Sequence, residues 1–181
     1  MAIELKIRTY PDPVLRNKAK AVTQVTEEHR QILSLMARLM YSSSGIGLAA
    51  PQVGISNAMI IVDIGSGLYK VINPKITKRS GSQAIEEGCL SVPGICLKVK
   101  RANNIVVNGL DENGKPVEIR AEGLLACVFQ HEIDHLFGKL IVDYASMIDK
   151  IKMGHRVKAL KRKFKDERMS QPETKSCKLQ L

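Results

Sequence analysis

The spacing of apolar residues divides the chain into helical and extended segments. From Thr26 to Tyr41 apolar residues recur every three or four positions, which predicts a helix with one broad apolar face that ends at Ser42-Ser43-Ser44-Gly45. The segment from Leu124 to Leu136 has the same period, and a less apolar, basic helix is predicted from Ser146 to Glu167. A short helix is predicted over residues 12–19, because an Asp-Pro pair is typical of a helix start.

Between the first two long helices the pattern changes to short β-branched runs that are separated by turn residues. Such runs are typical of strands, and Asp111-Glu112-Asn113-Gly114 is typical of a hairpin connection. The middle of the chain is therefore predicted to be rich in β-structure, with strands at residues 59–63, 68–72, 95–99, 105–110 and 117–121.

Length and composition favour one globular domain. A chain of 181 residues with 44% hydrophobic and 25% charged residues can bury a core and falls within the range of soluble proteins. No stretch has the 18 or more apolar residues of a membrane helix, and the first residues lack the apolar run of a signal peptide. We therefore expect no membrane contact and a cytoplasmic location.

The positive charge is concentrated near the C-terminus. The formal net charge is +10, and residues 148–168 carry nine Lys and Arg against three Asp and Glu, whereas residues 1–147 carry a net charge of only +3. This distribution indicates a basic helix that is a separable appendage on a nearly balanced body. We predict a domain over residues 1–168 and an unstructured polar tail over residues 169–181.

The strongest chemical signal is the run His131-Glu132-Ile133-Asp134-His135. On a helix, residues four apart lie on one face, so both imidazoles can reach one metal ion while Glu132 addresses a water bound to it. That arrangement suits hydrolysis. The simpler interpretation is a pair of surface histidines on an amphipathic helix.

A catalytic metal site needs a third protein ligand. Downstream, His155 and Asp149 are candidates, and either would indicate a zinc protease, although both lie in the basic segment. Upstream, Cys89 lies in Glu87-Gly88-Cys89-Leu90-Ser91, where a glycine allows the backbone to approach a metal. Taken alone, Cys89 is more often a buried small apolar residue.

A third motif is Gly45-Ile46-Gly47-Leu48-Ala49-Ala50-Pro51-Gln52. No Lys-Ser/Thr pair follows the glycines and no strand precedes them, so we expect no nucleotide site. The small residues allow a peptide to lie against the main chain, and Gln52 supplies an uncharged amide donor. The alternative is a tight glycine turn that enters the sheet.

Together, in this order and spacing, the three segments resemble the signature motifs of peptide deformylases, of a bacterial type 1-like form. The resemblance extends to Tyr10-Pro11-Asp12-Pro13, Ile72-Asn73-Pro74 and Asp143-Tyr144, and covers about residues 3–165. It implies an α+β fold: a single domain of mixed, mainly antiparallel β-sheets packed around a central metal-binding helix, with a C-terminal helix. Position 96 departs from the pattern, because many bacterial members have an arginine where this chain has Cys96.

The resemblance also implies a role for each matching residue. Removal of the formyl group from N-terminal formyl-methionine would use Glu132 for proton transfer, with Gln52 and the Leu90 N–H facing the developing oxyanion. An ion pair between Asp134 and Arg101 would support the metal helix, with a free surface pair as the alternative. The implied metal ligands are Cys89, His131 and His135, and the implied substrate-binding residues are Ile46, Gly47, Ile85, Gly88, Leu124 and Cys127.

The metal and the partners are expectations of the same kind. Ligand chemistry alone favours zinc for a Cys-His-His set, whereas the family implies Fe2+ with Zn2+ or Ni2+ as substitutes, and we follow the family. The expected substrates are N-formylmethionyl nascent peptides, and the basic helix would add contact with the ribosome. Besides the zinc protease, a non-catalytic ribosome- or RNA-binding module built around residues 148–168 is the remaining alternative.

Overall fold

The computed structural model describes residues 4–170 and has an α+β architecture. A five-stranded antiparallel sheet has the order β1-β2-β3-β6-β7, and β4 and β5 form a separate antiparallel pair. The strands are β1 (Gly47–Ala49), β2 (Met59–Val62), β3 (Tyr69–Ser80), β4 (Gln83–Glu87), β5 (Leu97–Arg101), β6 (Asn104–Leu110) and β7 (Pro116–Glu122). The helices are α1 (Glu27–Ser42), α2 (Gly123–Leu136) and α3 (Met147–Ser170), with 3-10 turns at Pro13–Arg16, Ala50–Val53 and Ile141–Tyr144.

Strand β2 lies between two hydrophobic clusters. Its four residues are all buried, and they alternate between the two faces of the sheet as a strand requires. Met59 and Ile61 pack in the cluster that contains α1, whereas Ile60 and Val62 pack in the cluster that contains α2. A strand buried on both faces is an uninterrupted apolar run, which explains why Met-Ile-Ile-Val was recognisable in the sequence.

Helix α2 is the central helix of the molecule. Ten of its fourteen residues are buried, and Phe129, Ile133 and Leu136 pack on the sheet. The remaining buried positions include Gln130, His131, Glu132 and His135, which are polar. A helix that buries polar side chains needs a partner for each of them, and this requirement points to a functional site on α2.

Helix α3 packs on the body along one side and does not stand apart from it as the charge distribution indicated. Met153, Val157 and Leu160 pack against a third hydrophobic cluster that includes Val92 and Ile95. Arg156 also donates a hydrogen bond to the Gly94 carbonyl at 2.5 Å. The charged residues of α3 cover its outer side, and no described helix is long and apolar enough to cross a membrane.

The predicted helices and the Asp111–Gly114 connection are confirmed, although the first short helix covers only Pro13–Arg16. Strand β3 runs eight residues beyond its predicted end at Ile72, and β1 and β4 were not predicted. The tail prediction for residues 169–181 falls mostly on residues 171–181, which lie outside the described residues, while residues 169 and 170 belong to α3.

Replacing Gly138 with alanine should destabilise the protein. Gly138 has a φ of +70°, and a Cβ atom there would collide with the carbonyl group of Arg16. We expect Gly138→Ala to lower the free energy of unfolding by about 2 kcal/mol or more, measured by urea unfolding.

Gly154→Ala is the matched control. Gly154 lies within α3, and a Cβ atom there would meet nothing within 4 Å, so alanine should stabilise the helix by about 0.5–1 kcal/mol. Equal unfolding free energies for the two variants would contradict the steric argument.

Candidate metal centre and active site

Two histidines on α2 and a cysteine from the turn after β4 form the candidate metal centre. The Nε2 atoms of His131 and His135 lie 3.2 Å apart, and the Cys89 Sγ lies 3.3 Å from His135 Nε2. All three ligand atoms lie within 4.8 Å of one another, and among the described residues this is the one group of this kind. One thiolate and two imidazoles suit a transition metal or zinc, and three protein ligands leave a position open for water or substrate.

The downstream candidates take no part in this group. The Asp149 carboxylate instead accepts hydrogen bonds from the Ser146 backbone N–H at 3.1 Å and from its hydroxyl at 2.6 Å, at the start of α3. His155 is an exposed residue of the same helix. Of the three candidates for a third ligand, Cys89 is thus the one whose side chain lies with His131 and His135.

The pairing of β4 with β5 determines the place of Cys89. The ladder ends at the pair Glu87 and Leu97, and the chain then turns, with the Val92 N–H donating to the Cys89 carbonyl at 2.9 Å. The Ser91 carbonyl accepts a hydrogen bond of 2.8 Å from the Tyr10 N–H, which ties the turn to the N-terminal segment. These contacts hold the thiol beside α2.

Glu132 lies at the same site and has a free carboxylate oxygen. Its side chain is buried, and Oε2 has no hydrogen-bond partner in the described part of the chain. Burial raises the pKa of Glu132 to about 7. A Cβ atom on Gly47 would collide with Glu132 Oε1, so glycine is needed for β1 to approach this carboxylate. A carboxyl group with this pKa can both accept and return a proton near neutral pH.

The amide of Gln52 is held in one orientation. Its Oε1 accepts a hydrogen bond from the Ala49 N–H at 2.7 Å, which leaves Nε2 directed towards the cysteine turn. Nε2 donates to Ser91 Oγ at 3.2 Å and lies 3.6 Å from Cys89 Sγ. The amide donor predicted from the glycine-rich motif therefore lies next to the candidate metal ligands.

Glu87 is the functional residue that the sequence analysis missed. Arg101 donates to both oxygens of its carboxylate, at 2.6 and 2.8 Å, and His131 Nδ1 lies 2.9 Å from Oε2. The Cys127 thiol donates to Oε1 at 3.2 Å. A carboxylate bonded to the distal nitrogen of a metal-binding histidine orients the ring and directs Nε2 towards the metal. In the sequence, the position of Glu87 directly before Gly88-Cys89 was the feature that could have indicated its role.

Arg101 connects this carboxylate to the end of α2. Its Nη1 donates to Asp134 Oδ2 at 2.6 Å, so the predicted ion pair is present, and only 5% of the Arg101 side chain is exposed. The Tyr144 hydroxyl also donates to Asp134 Oδ2, at 2.7 Å. The alternative of a free surface pair is therefore wrong.

The buried network makes a pH-dependent contribution to stability. Burial by itself would raise the pKa of Glu87, but the hydrogen bonds from Arg101 and His131 outweigh it and lower the pKa to about 2. Because the pKa is lower in the folded state, this stabilisation is complete above the ordinary pKa of about 4.5 and is lost as the pH falls towards 2. Burial and the nearby Glu87 carboxylate raise the pKa of Cys127 to about 12, so its thiol stays protonated at neutral pH.

A pocket of about 350 Å³ opens above these groups. That size falls in the range of small-molecule and peptide side-chain sites. Most of the residues predicted from the sequence line it: Ile46, Gly47, Gln52, Ile85, Gly88, Cys89, Leu90, Leu124, Cys127, His131 and Glu132. His135 is buried and does not line the pocket, and Asp134 and Arg101 belong to the supporting network.

Comparison with known proteins agrees with this geometry. The model of the polypeptide deformylase family matches residues 4–151. The peptide deformylase of Halothermothrix orenii is 53% identical over 141 residues, which are 77% of this chain and 92% of that protein. This chain belongs to the polypeptide deformylase family. The peptide deformylase of Hydrogenovibrio crunogenus is 43% identical over 171 residues, covering 93% of this chain and 97% of that one.

Solved structures of peptide deformylases have the same fold. A crystal structure from Legionella pneumophila has a TM-score of 0.82 at 40% identity and covers 94% of this chain and 100% of its own. A structure from Synechococcus elongatus in complex with actinonin has a TM-score of 0.81 at 41% identity, covering 86% and 88%.

As a polypeptide deformylase, the chain is a metal-dependent hydrolase that removes the N-terminal formyl group from nascent peptides. The zinc-protease and non-catalytic binding interpretations have no support in these comparisons.

Replacing Glu87 with glutamine should weaken metal binding. The amide removes the buried negative charge that lies next to His131 Nδ1 and pairs with Arg101. We expect Glu87→Gln to raise the dissociation constant for the metal about 10- to 100-fold, measured by competition with a chelator. Glu118→Gln on β7 is the matched control, since Glu118 lies outside the pocket and pairs with Arg120. Equal affinity in both variants would contradict the orienting role of Glu87.

Proposed function

We propose that Cys89, His131 and His135 hold one Fe2+ ion, with Zn2+ or Ni2+ as substitutes. The observation that carries the proposal is this three-ligand group at the base of a pocket, beside a buried carboxylate oxygen that has no partner among the described residues. Both histidines must be neutral and the cysteine ionised to bind a cation. The contact of His131 Nδ1 with Glu87 supports a ring that presents Nε2 to the ion.

A divalent ion held by these ligands supplies Lewis acidity, which acidifies water and polarises a carbonyl group. Glu132 accepts the proton of the attacking water and later delivers it to the departing amine. The pKa of about 7 that burial gives Glu132 suits both transfers. The amine then leaves as a neutral group, and the products are formate and a free N-terminus.

The developing negative charge on the formyl oxygen faces two donors, the Gln52 amide and the Leu90 backbone N–H. The fixed orientation of Gln52 supports this role, because its Oε1 is occupied by the Ala49 N–H and its Nε2 lies near Cys89. Leu90 follows Cys89 directly and lines the same pocket. Each such donor contributes about 3–4 kcal/mol in comparable sites.

The rest of the pocket binds the formyl-methionine. Gly47 and Gly88 leave main chain accessible, and with Ile46 they bind the main chain of the substrate in extended form. The methionine side chain lies in the apolar part of the pocket. Its walls are Ile85, Leu124, Cys127 and the ring of His131. Asp134 and Arg101 stabilise the end of the helix that carries both histidines.

Glu132→Gln should keep the metal but lose turnover. Glutamine has nearly the same shape but cannot accept a proton, so we expect formate release from a formyl-methionyl peptide to fall about 10³-fold. Metal content, measured on the same preparation, is the internal control and should remain at one ion per chain. Full activity of the metal-loaded variant would contradict the proposed role.

We also propose that the outer side of α3 binds the ribosome, where the substrates emerge, which agrees with a cytoplasmic location. Lys158, Arg162 and Lys165 are exposed and lie three or four residues apart, on the side away from Val157 and Leu160. Such a row can contact the phosphates of RNA.

Charge removal tests this surface without removing the packed side of α3. We expect Lys158, Arg162 and Lys165 changed together to glutamine to weaken co-sedimentation with ribosomes, and to reduce its dependence on salt concentration. A matched control changes Lys75, Lys78 and Arg79, which are exposed on β3, to glutamine. Equal binding of the two triple variants would contradict the proposal.

A further inference from the structure

The pocket is acidic although the chain is basic. The chain has a net charge of +10, yet the lining of the pocket contains Glu86, Glu87 and Glu132 and no lysine or arginine. The charge of Glu87 is balanced by Arg101, and Glu132 is buried beside the metal ligands. Glu86 is the lining carboxylate that is exposed to solvent, and within residues 4–170 it forms no salt bridge.

Glu86 lies at the rim of the pocket because strand side chains alternate. Ile85 and Glu87 point inwards from β4, so Glu86 between them points outwards. Its cross-strand neighbour is Lys98 on β5, which reduces the negative potential without forming a salt bridge. Gly88 lies two residues after Glu86. The Cys96 sulfur would be 3.8 Å from a Cβ atom placed on Gly88, and it is the nearest side-chain atom to that position. The side chain next to Gly88 is therefore that of a cysteine and not of a lysine or arginine.

A formylated peptide has no positive charge at its N-terminus, so its side chains alone determine the charge that it brings to the rim. If its main chain passes Gly88, as proposed above, the residue after the methionine reaches the rim that carries Glu86, with Cys96 next to Gly88. We propose that Glu86 is a specificity-determining residue, and that this enzyme prefers formyl-methionyl peptides with lysine or arginine directly after the methionine. The inference rests on the proposed substrate site, which the unpartnered buried Oε2 of Glu132 supports independently.

The size of the preference follows from the exposure of Glu86. Contacts between exposed opposite charges change an equilibrium about two- to fivefold, and salt reduces them because the screening length falls from about 10 Å at 0.1 M to about 3 Å at 1 M. A preference of this size is measurable as a ratio of kcat/KM values. It should decrease as salt is added.

The test uses the full-length, metal-loaded enzyme and three peptides that differ only after the formyl-methionine, with lysine, glutamine or glutamate there. Formate release gives kcat/KM for each, and we expect the lysine-to-glutamate ratio to be about three at low salt and near one at 1 M salt. Because the ratio is taken within one enzyme preparation, differences in overall rate or metal content cancel.

Three variants identify the residues responsible. Glu86→Gln should bring the ratio close to one, and Lys98→Gln should raise it above the wild-type value. Cys96→Lys should lower the ratio below one by placing a cation next to Gly88, whereas Cys96→Gln, its neutral control of similar size, should not.

Two outcomes would overturn the inference: a wild-type ratio near one at low salt, or an unchanged ratio in Glu86→Gln. If instead the metal-loaded enzyme releases formate from none of the three peptides, the proposed substrate site fails rather than the preference.

Discussion

The hydrogen-bonded carboxylate of Glu87 connects the two parts of the molecule that carry the candidate metal ligands. Glu87 lies two residues before Cys89 at the end of β4, and its Oε2 lies 2.9 Å from Nδ1 of His131 on α2. The two elements are distant in sequence, so their relative position depends on contacts of this kind. A buried carboxylate is costly unless it is fully paired, and Arg101 provides that pairing with two hydrogen bonds.

The fold was predictable where burial produces a simple pattern. Met59–Val62 is buried on both faces, and α1 has one apolar face, so both were evident from hydropathy. Strands β1 and β4 were not evident from hydropathy. The first has only three residues, and the second reads Gln-Ala-Ile-Glu-Glu, because one of its faces meets solvent and the other carries a buried charge. Hydropathy cannot distinguish a buried, paired glutamate from an exposed one.

The site was predictable to a similar extent. His131 and His135 lie one helical turn apart, so local spacing alone brings them together. Cys89 is 42 residues upstream of His131, and only the β4–β5 pairing or a family resemblance could select it over Asp149 or His155. The packing of α3 was misjudged because its apolar positions Met153, Val157 and Leu160 are separated by many lysines. These three residues are spaced by four and three positions, as on one face of a helix, and this spacing indicates that the face packs against the body.

The packing of α3 has a mechanical consequence. A helix on a flexible linker would leave the catalytic body free to rotate when the helix is held by a large partner. Here α3 packs on Val92 and Ile95, and Arg156 holds the Gly94 carbonyl, five residues beyond Cys89. Any surface that binds the outer side of α3 therefore also fixes the direction in which the pocket opens. A peptide end that emerges from such a surface would meet a pocket of fixed orientation instead of one that rotates freely.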